Sequence, residues 1–294
     1  TSFQLPSQVI EDTAEYVIAT NADGAKMKNW KHTTSTPEMI DFTITSREIW
    51  EEYKPRMTMN ESRVNWEGQL NANKTCVEAG YFCTMNFGPG FTYICDVVGP
   101  ERTMMAMMIE PDWIKDMFMA NAQVCADMAE EMIGRGMIFD AGWIFDDLGF
   151  RDYQFFPPDA YRELLMPAHK LICDVFKSKG LYMILHTCGY NMEFIPLYIE
   201  AGFDCIQPLE VKAGNNMLKL KKDYGDVLTF MGGIDVRAMA SENPDDIVKE
   251  ISSKIPIMKK GGGYIYHSDH SVPDNVSFKQ YCRTMELVAE YGKY

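Results

Sequence analysis

Long hydrophobic runs are missing from this sequence. Nowhere in its 294 residues do apolar side chains continue uninterrupted for the roughly 18 positions that a membrane-spanning helix needs. Positive charge is also scarce: 28 Lys and Arg face 42 Asp and Glu, and the formal net charge of −14 repels phosphate backbones and anionic lipid surfaces. Neither nucleic acid nor a membrane is therefore expected as a partner. The opening residues lack a signal-peptide pattern, and the eight cysteines are scattered through a chain long enough to fold without disulfide staples, so a reducing, cytoplasmic setting is expected. No linker, low-complexity tract or short repeat interrupts the chain. The run Gly261-Gly262-Gly263 lacks the lysine of a phosphate-binding loop, which leaves nucleotide binding without support.

What is present is apolar material in quantity. Hydrophobic residues make up 46% of the chain, enough for one large core, and a single domain over 1–294 is the expectation. The first 75 residues carry charged and aromatic segments such as 46–53 and read as a helical, loop-rich N-terminal extension. Residues 77–86 read as a strand, 91–98 as an apolar helix, and 112–134 as a long amphipathic helix. From there short apolar runs at 138–145, 181–186, 203–208, 227–231 and 263–267 alternate with helical segments near 158–179, 192–201, 215–224, 244–260 and from 276 onward. That alternation is the pattern of parallel βα units, and their number favours an α/β fold of the (β/α)8 TIM-barrel type over an open sheet.

In such barrels chemistry sits at the C-terminal ends of the strands. Here those ends carry Asp146-Asp147, His186-Thr187-Cys188-Gly189, Glu210, Gly232-Gly233-Ile234-Asp235 and His267-Ser268-Asp269-His270. Residues i and i+2 of an extended segment point to one side, so His186 and Cys188 can bind one ion. A thiolate beside an imidazole favours zinc over magnesium or calcium, with Glu210, Asp269 or His270 completing the ligand set. Read plainly, a buried cysteine is a small apolar side chain and the pair arises by chance. Asp146 and Asp147 suit general-acid or substrate-positioning roles, or cap the following loop, and only one of the two can face inward on a continuing strand. Tyr190, Gly233, Asp235 and His267 are the candidates for substrate or cofactor contacts. The aromatic stretch from Phe150 to Phe156 reads as packing more readily than as a pocket wall.

Taken in order, HTCG at 186–189, IQPLE at 206–210, FMGGID at 230–235 and HSDHSVPDNVSFKQY at 267–281 resemble the uroporphyrinogen decarboxylase superfamily. So do FDDLGFRD at 145–152 and the segment 36–57. The resemblance runs from about Pro37 to the last helix, and it implies a (β/α)8 barrel. It leaves unmatched the family's first N-terminal segment and strand. The superfamily holds tetrapyrrole decarboxylases, which grip substrate carboxylates with an arginine-rich N-terminal motif, and zinc-dependent methyltransferases that work with corrinoid proteins. No such arginine motif is found here, since Arg56 and Arg63 stand alone.

His186 and Cys188 match the His-x-Cys half of the methyltransferase zinc site. Relatives acting on coenzyme thiols carry a further cysteine where this chain, aligned on Pro273, has Asp269 with His270 beside it. A harder, oxygen-containing ligand set suits a Lewis acid at an ether or alcohol oxygen. The resemblance thus implies a zinc-dependent methyltransferase that moves a methyl group from a small donor, with a methoxylated aromatic favoured, to a corrinoid (cobalamin) on a partner protein. A homodimer is compatible with this. A decarboxylase is the alternative enzyme, and a non-catalytic tetrapyrrole- or corrinoid-binding protein is the alternative of another class.

Overall fold

Two compact units make up the chain, each drawn from separate stretches of sequence: Thr1–Asp146 with Asp159–Leu181, and Asp147–Pro158 with Tyr182–Tyr294. The computed structural model describes residues 1–33 and 36–293. Among them no helix is long and apolar enough to cross a membrane.

The first unit opens differently from the sequence expectation of helices. Strands β1 (Val9–Asp12), β2 (Tyr16–Thr20), β3 (Lys26–Trp30) and β4 (Glu38–Asp41) form an antiparallel sheet in the order β1-β2-β3-β4. The signal for it is local and polar. Between β2 and β3, Asn21 Oδ1 accepts from the backbone amides of Asp23 and Ala25, and Gly24 at φ 82° supplies the left-handed turn. Tyr16 pairs with Trp30 across the ladder, and Lys28 Nζ sits 4.2 and 4.1 Å from the centroids of those two rings. The strands are short and largely exposed or half-buried, so they lack the apolar run by which a core strand is recognised. The helical expectation holds only farther on: Arg47–Tyr53 is capped by Ser46, and Trp66–Glu78 follows.

That second helix displaces the strand expected at 77–86. None of its residues is buried, so it has no apolar stripe to betray its period, and the strand proper is the shorter β5 (Thr84–Phe87). Strand β5 runs parallel to β6 (Ala141–Phe145), with Thr84 opposite Ala141 and Phe87 opposite Ile144. Between them lie Phe91–Val98, Pro100–Ile109 and the 24-residue helix Pro111–Gly134. The long helix buries Ile114, Met117, Phe118, Cys125, Ala129 and Met132 at helical spacing and packs on the helix Met166–Ser178.

The second unit is the regular part. Strands β7 (Tyr182–His186), β8 (Cys205–Gln207), β9 (Thr229–Met231) and β10 (Tyr264–Ile265) run parallel, each paired with the next. Their connections carry helices Ile195–Ala201, Met217–Tyr224 and Pro244–Met258, and Phe278–Tyr291 closes the chain. In helix Pro244–Met258, Ile247, Ile251 and Ile255 recur every fourth residue. They form one cluster with Ile234, Val236, Met239 and Leu287, which seats the helix on the strand ends. Ser277 and Gln280 close a capping box at the start of the last helix. Register puts His186, the last residue of β7, opposite Gln207, the last residue of β8.

Candidate active site

Past the end of β7 the ladder continues for one residue, because Thr187 N donates to Gln207 O at 2.8 Å. This keeps the segment extended, and His186 and Cys188 share a side as the i, i+2 rule requires, with Nε2 and Sγ 3.5 Å apart. The third member is Asp147. Its Oδ1 lies 3.5 Å from His186 Nε2 and accepts from Cys188 N at 2.8 Å. The ligand atoms of Asp147, His186 and Cys188 all fall within 4.8 Å of one another.

Two glycines permit this approach. A Cβ on Gly149 would stand 2.6 Å from Cys188 O, and one on Gly189, at φ 77°, would stand 2.2 Å from the carbonyl carbon of Gly149. The segments Asp147-Leu148-Gly149 and Cys188-Gly189 therefore cross with backbones in contact, which only glycine allows. Thr187 adds a tie by accepting from Leu148 N at 3.1 Å.

Gln207 completes the geometry and was not foreseen from the sequence. It is 5% exposed, and its Oε1 is hydrogen-bonded to His186 Nδ1. An amide oxygen only accepts, so Nδ1 carries the proton and the Nε2 lone pair faces Asp147 and Cys188. Burial holds His186 below the ordinary imidazole value, which suits a neutral ligand. Burial, together with the negative charges of Asp147 and Glu210, pushes the Cys188 thiol up to about 12. Without a cation this thiol stays protonated and is a poor nucleophile; a divalent ion reverses that preference.

The donor set fits zinc. Bonds of about 2.3 Å to sulfur and 2.0–2.1 Å to nitrogen or oxygen place tetrahedral ligand atoms roughly 3.3–3.6 Å apart. The S···N and N···O separations here are both 3.5 Å.

The other residues singled out from the sequence lie outside this three-residue cluster. Glu210 is buried but engaged: Oε2 accepts from Gly189 N at 2.8 Å, and Oε1 pairs with Lys212 Nζ at 2.9 Å. Asp269 is fully buried, and its two oxygens accept from Val211 N and Val236 N at 2.8 and 2.9 Å, so it braces the loops after β8 and β9. His270 is exposed, and its carbonyl accepts from Ser268 Oγ. His267 Nδ1 bonds to Ser268 O at 2.6 Å. Asp235 caps the helix Val236–Met239 and pairs with Arg237 at 2.6 Å. Gly233 donates to Pro208 O, and a Cβ there would meet Met217 Sδ at 2.5 Å, so its role is close packing. Tyr190 donates its amide to Phe150 O and lays its ring against Gly214.

Asp146 belongs to the first unit and is fully buried. It accepts from Phe91 N at 3.1 Å and Thr92 N at 2.7 Å, which caps the helix Phe91–Val98 from a distance. Its Oδ2 also lies 3.1 Å from His169 Nε2, and His169 Nδ1 is 3.0 Å from Tyr161 Oη.

Beside the Asp147/His186/Cys188 cluster opens a cavity of about 490 Å3, lined by Phe150, Arg151, Cys188, Glu210, Lys212 and their neighbours. Phe150 thus does more than pack, although it also contacts Tyr153 and Phe155. A larger cleft of about 760 Å3 lies in the first unit, between Phe42 and Trp113, and among the described residues no comparable group of ligating side chains lines it.

The chain matches the uroporphyrinogen decarboxylase (URO-D) family over residues 13–291, and it belongs to that family. A solved structure of a methyltransferase from Methanosarcina mazei is similar at a TM-score of 0.64 and 16% identity, over 92% of this chain and 76% of that one. A 3-keto-L-gulonate-6-phosphate decarboxylase from Vibrio cholerae is similar at a TM-score of only 0.32 and 12% identity, over 72% of this chain and 88% of that one. No curated protein sequence matches. Family and fold together make the chain an α/β protein of the TIM-barrel type. Six parallel strands are formed among the described residues, two in the first unit and four in the second.

Proposed function

We propose that this protein is a zinc-dependent methyltransferase that moves a methyl group from a small donor, with a methoxylated aromatic favoured, to a corrinoid carried by a partner protein. The observation that carries the reading is the Asp147/His186/Cys188 cluster, with its imidazole oriented by Gln207, at the wall of a cavity of ligand size. Membership of the URO-D family and a fold shared with a solved methyltransferase support it.

His186 Nε2, Cys188 Sγ and Asp147 Oδ1 would hold the zinc. When bound, it supplies Lewis acidity at the donor oxygen, which an aryl ether needs because the departing phenolate has a conjugate-acid pKa of about 10. The remaining work belongs to the chain. Gln207 holds the imidazole in the tautomer that presents Nε2. Gly149 and Gly189 let Asp147 reach the pair. Glu210, tied to Gly189 N and Lys212, anchors the loop that carries Cys188. Asp146 acts on the fold and not on the departing oxygen, being engaged with the helix amides and His169.

The test is metal content and methyl transfer on the same protein. About one zinc per chain is expected, lost in Cys188→Ser, together with anaerobic formation of methylcobalamin from reduced cobalamin and a methoxyarene. Zinc-replete protein that methylates cobalamin from no ether, alcohol, amine or thiol donor overturns the reading. So does chelator-insensitive release of carbon dioxide from an aromatic or tetrapyrrole acid.

A further inference from the structure

The cavity beside Cys188 is lined by two cations, Arg151 and Lys212, in a chain whose net charge is −14. An acidic protein repels anions at long range, so cations gathered in a cavity mark the place where one can be held. Lys212 Nζ is tethered to Glu210 Oε1, and its side chain remains 49% exposed with further N–H donors to offer. Arg151 is freer still: among the described residues it forms no ion pair, and its guanidinium carbon stands 5.9 Å from the centroid of the Phe150 ring. The acids of the lining are Glu210, engaged by Gly189 N and Lys212, and the exposed Asp152.

A guanidinium beside an aromatic ring matches a planar aromatic acid. The fork takes a carboxylate through two parallel hydrogen bonds, and the ring offers a face or edge to an arene. A cationic donor would instead meet both Arg151 and Lys212. We propose that this cavity takes a small aromatic carboxylate, so that the methyl donor is a methoxylated aromatic acid whose carboxylate meets Arg151 and Lys212 while its ring lies along Phe150. The donor assignment rests on the methyltransferase reading above; the carboxylate site does not.

Calorimetric titration of the intact protein with benzoate, 4-methoxybenzoate and the neutral 4-methoxybenzyl alcohol separates the two. Both acids are expected to bind at least about tenfold tighter than the alcohol, the margin of one charge-assisted hydrogen bond. Arg151→Gln is expected to erase that margin, Arg151→Lys to keep part of it, and Lys212→Gln to reduce it, while the denaturant unfolding midpoint of each variant stays that of the parent and reports an intact fold. Equal affinity for acid and alcohol, or an Arg151→Gln variant that binds benzoate as the parent does, overturns the proposal even if methyl transfer from neutral ethers is efficient. Charge-selective benzoate binding in a protein that transfers no methyl group upholds the carboxylate site and defeats only the enzyme reading.

Discussion

Asp146 and Asp147 are neighbours in sequence, each sits against a histidine, and their surroundings could hardly differ more. In the first unit Asp146, His169 and Tyr161 are all fully buried, and the carboxylate accepts from two amides as well as facing the imidazole. In the second unit Asp147, His186 and Cys188 are only half-buried and stand beside a cavity, with one ligand atom of each within 4.8 Å of the other two. Similar side chains serve stability where every polar atom is answered by the protein. Where a carboxylate, an imidazole nitrogen and a thiol stand together beside open space, they form instead a set of atoms able to take a cation.

The largest effect that would break this contrast comes from the second cluster. Cys188→Ala or His186→Ala is expected to remove bound zinc, measured by elemental analysis, and to lower methyl transfer by more than about a hundredfold. The unfolding midpoint without metal should hardly move, since both positions are partly exposed. The first cluster predicts the reverse. Asp146→Ala removes the acceptor of two backbone amides and the partner of His169, and should cost about 3–5 kcal/mol in denaturant unfolding while leaving zinc stoichiometry intact. Loss of zinc without loss of stability in Asp146→Ala would erase the distinction.

A finer test lies one residue out. Gln207→Ala should weaken zinc binding by roughly 10–100-fold, read by competition with a chelating dye, because the imidazole loses the bond that fixes its tautomer. Gln207→Glu, which keeps an acceptor, should retain affinity.

The smallest expected effect is in pH. The Cys188 thiol is pushed up to about 12 and must lose its proton on metal binding, whereas His186, held below its ordinary value, is already neutral near pH 7. Zinc affinity should therefore rise about tenfold per pH unit across the neutral range, and more steeply in acid where His186 also releases a proton. A flat profile between pH 6.5 and 8.5 would mean that Cys188 is not a ligand.

How much of this was legible beforehand differs between the two units. Strands 181–186 and 203–208 and helix 244–260 were readable because parallel strands buried on both faces are continuous apolar runs, and because Ile247, Ile251 and Ile255 keep helical spacing. The antiparallel sheet β1–β4 was not, because short exposed strands carry no apolar run, although the Asn21-Ala22-Asp23-Gly24 turn was there to be read. From the sequence, Glu210, Asp269 and His270 are the candidates for company to His186 and Cys188, and Asp147 reads as a general acid, a substrate-positioning group or a loop cap; the structure instead groups Asp147 with the pair. Nothing in one dimension tells a carboxylate that meets a histidine from one that meets backbone amides.

By itself, the sequence determined that His186 and Cys188 would share a side at a strand end. The two-residue repeat of an extended chain is a local property, independent of what surrounds it. Only the tertiary structure decided that Asp147 joins them, that Gln207 aims the imidazole, and that Asp146 turns into the first unit. Those outcomes depend on contacts between segments some 20 to 40 residues apart or more, and on two glycines that let their backbones touch.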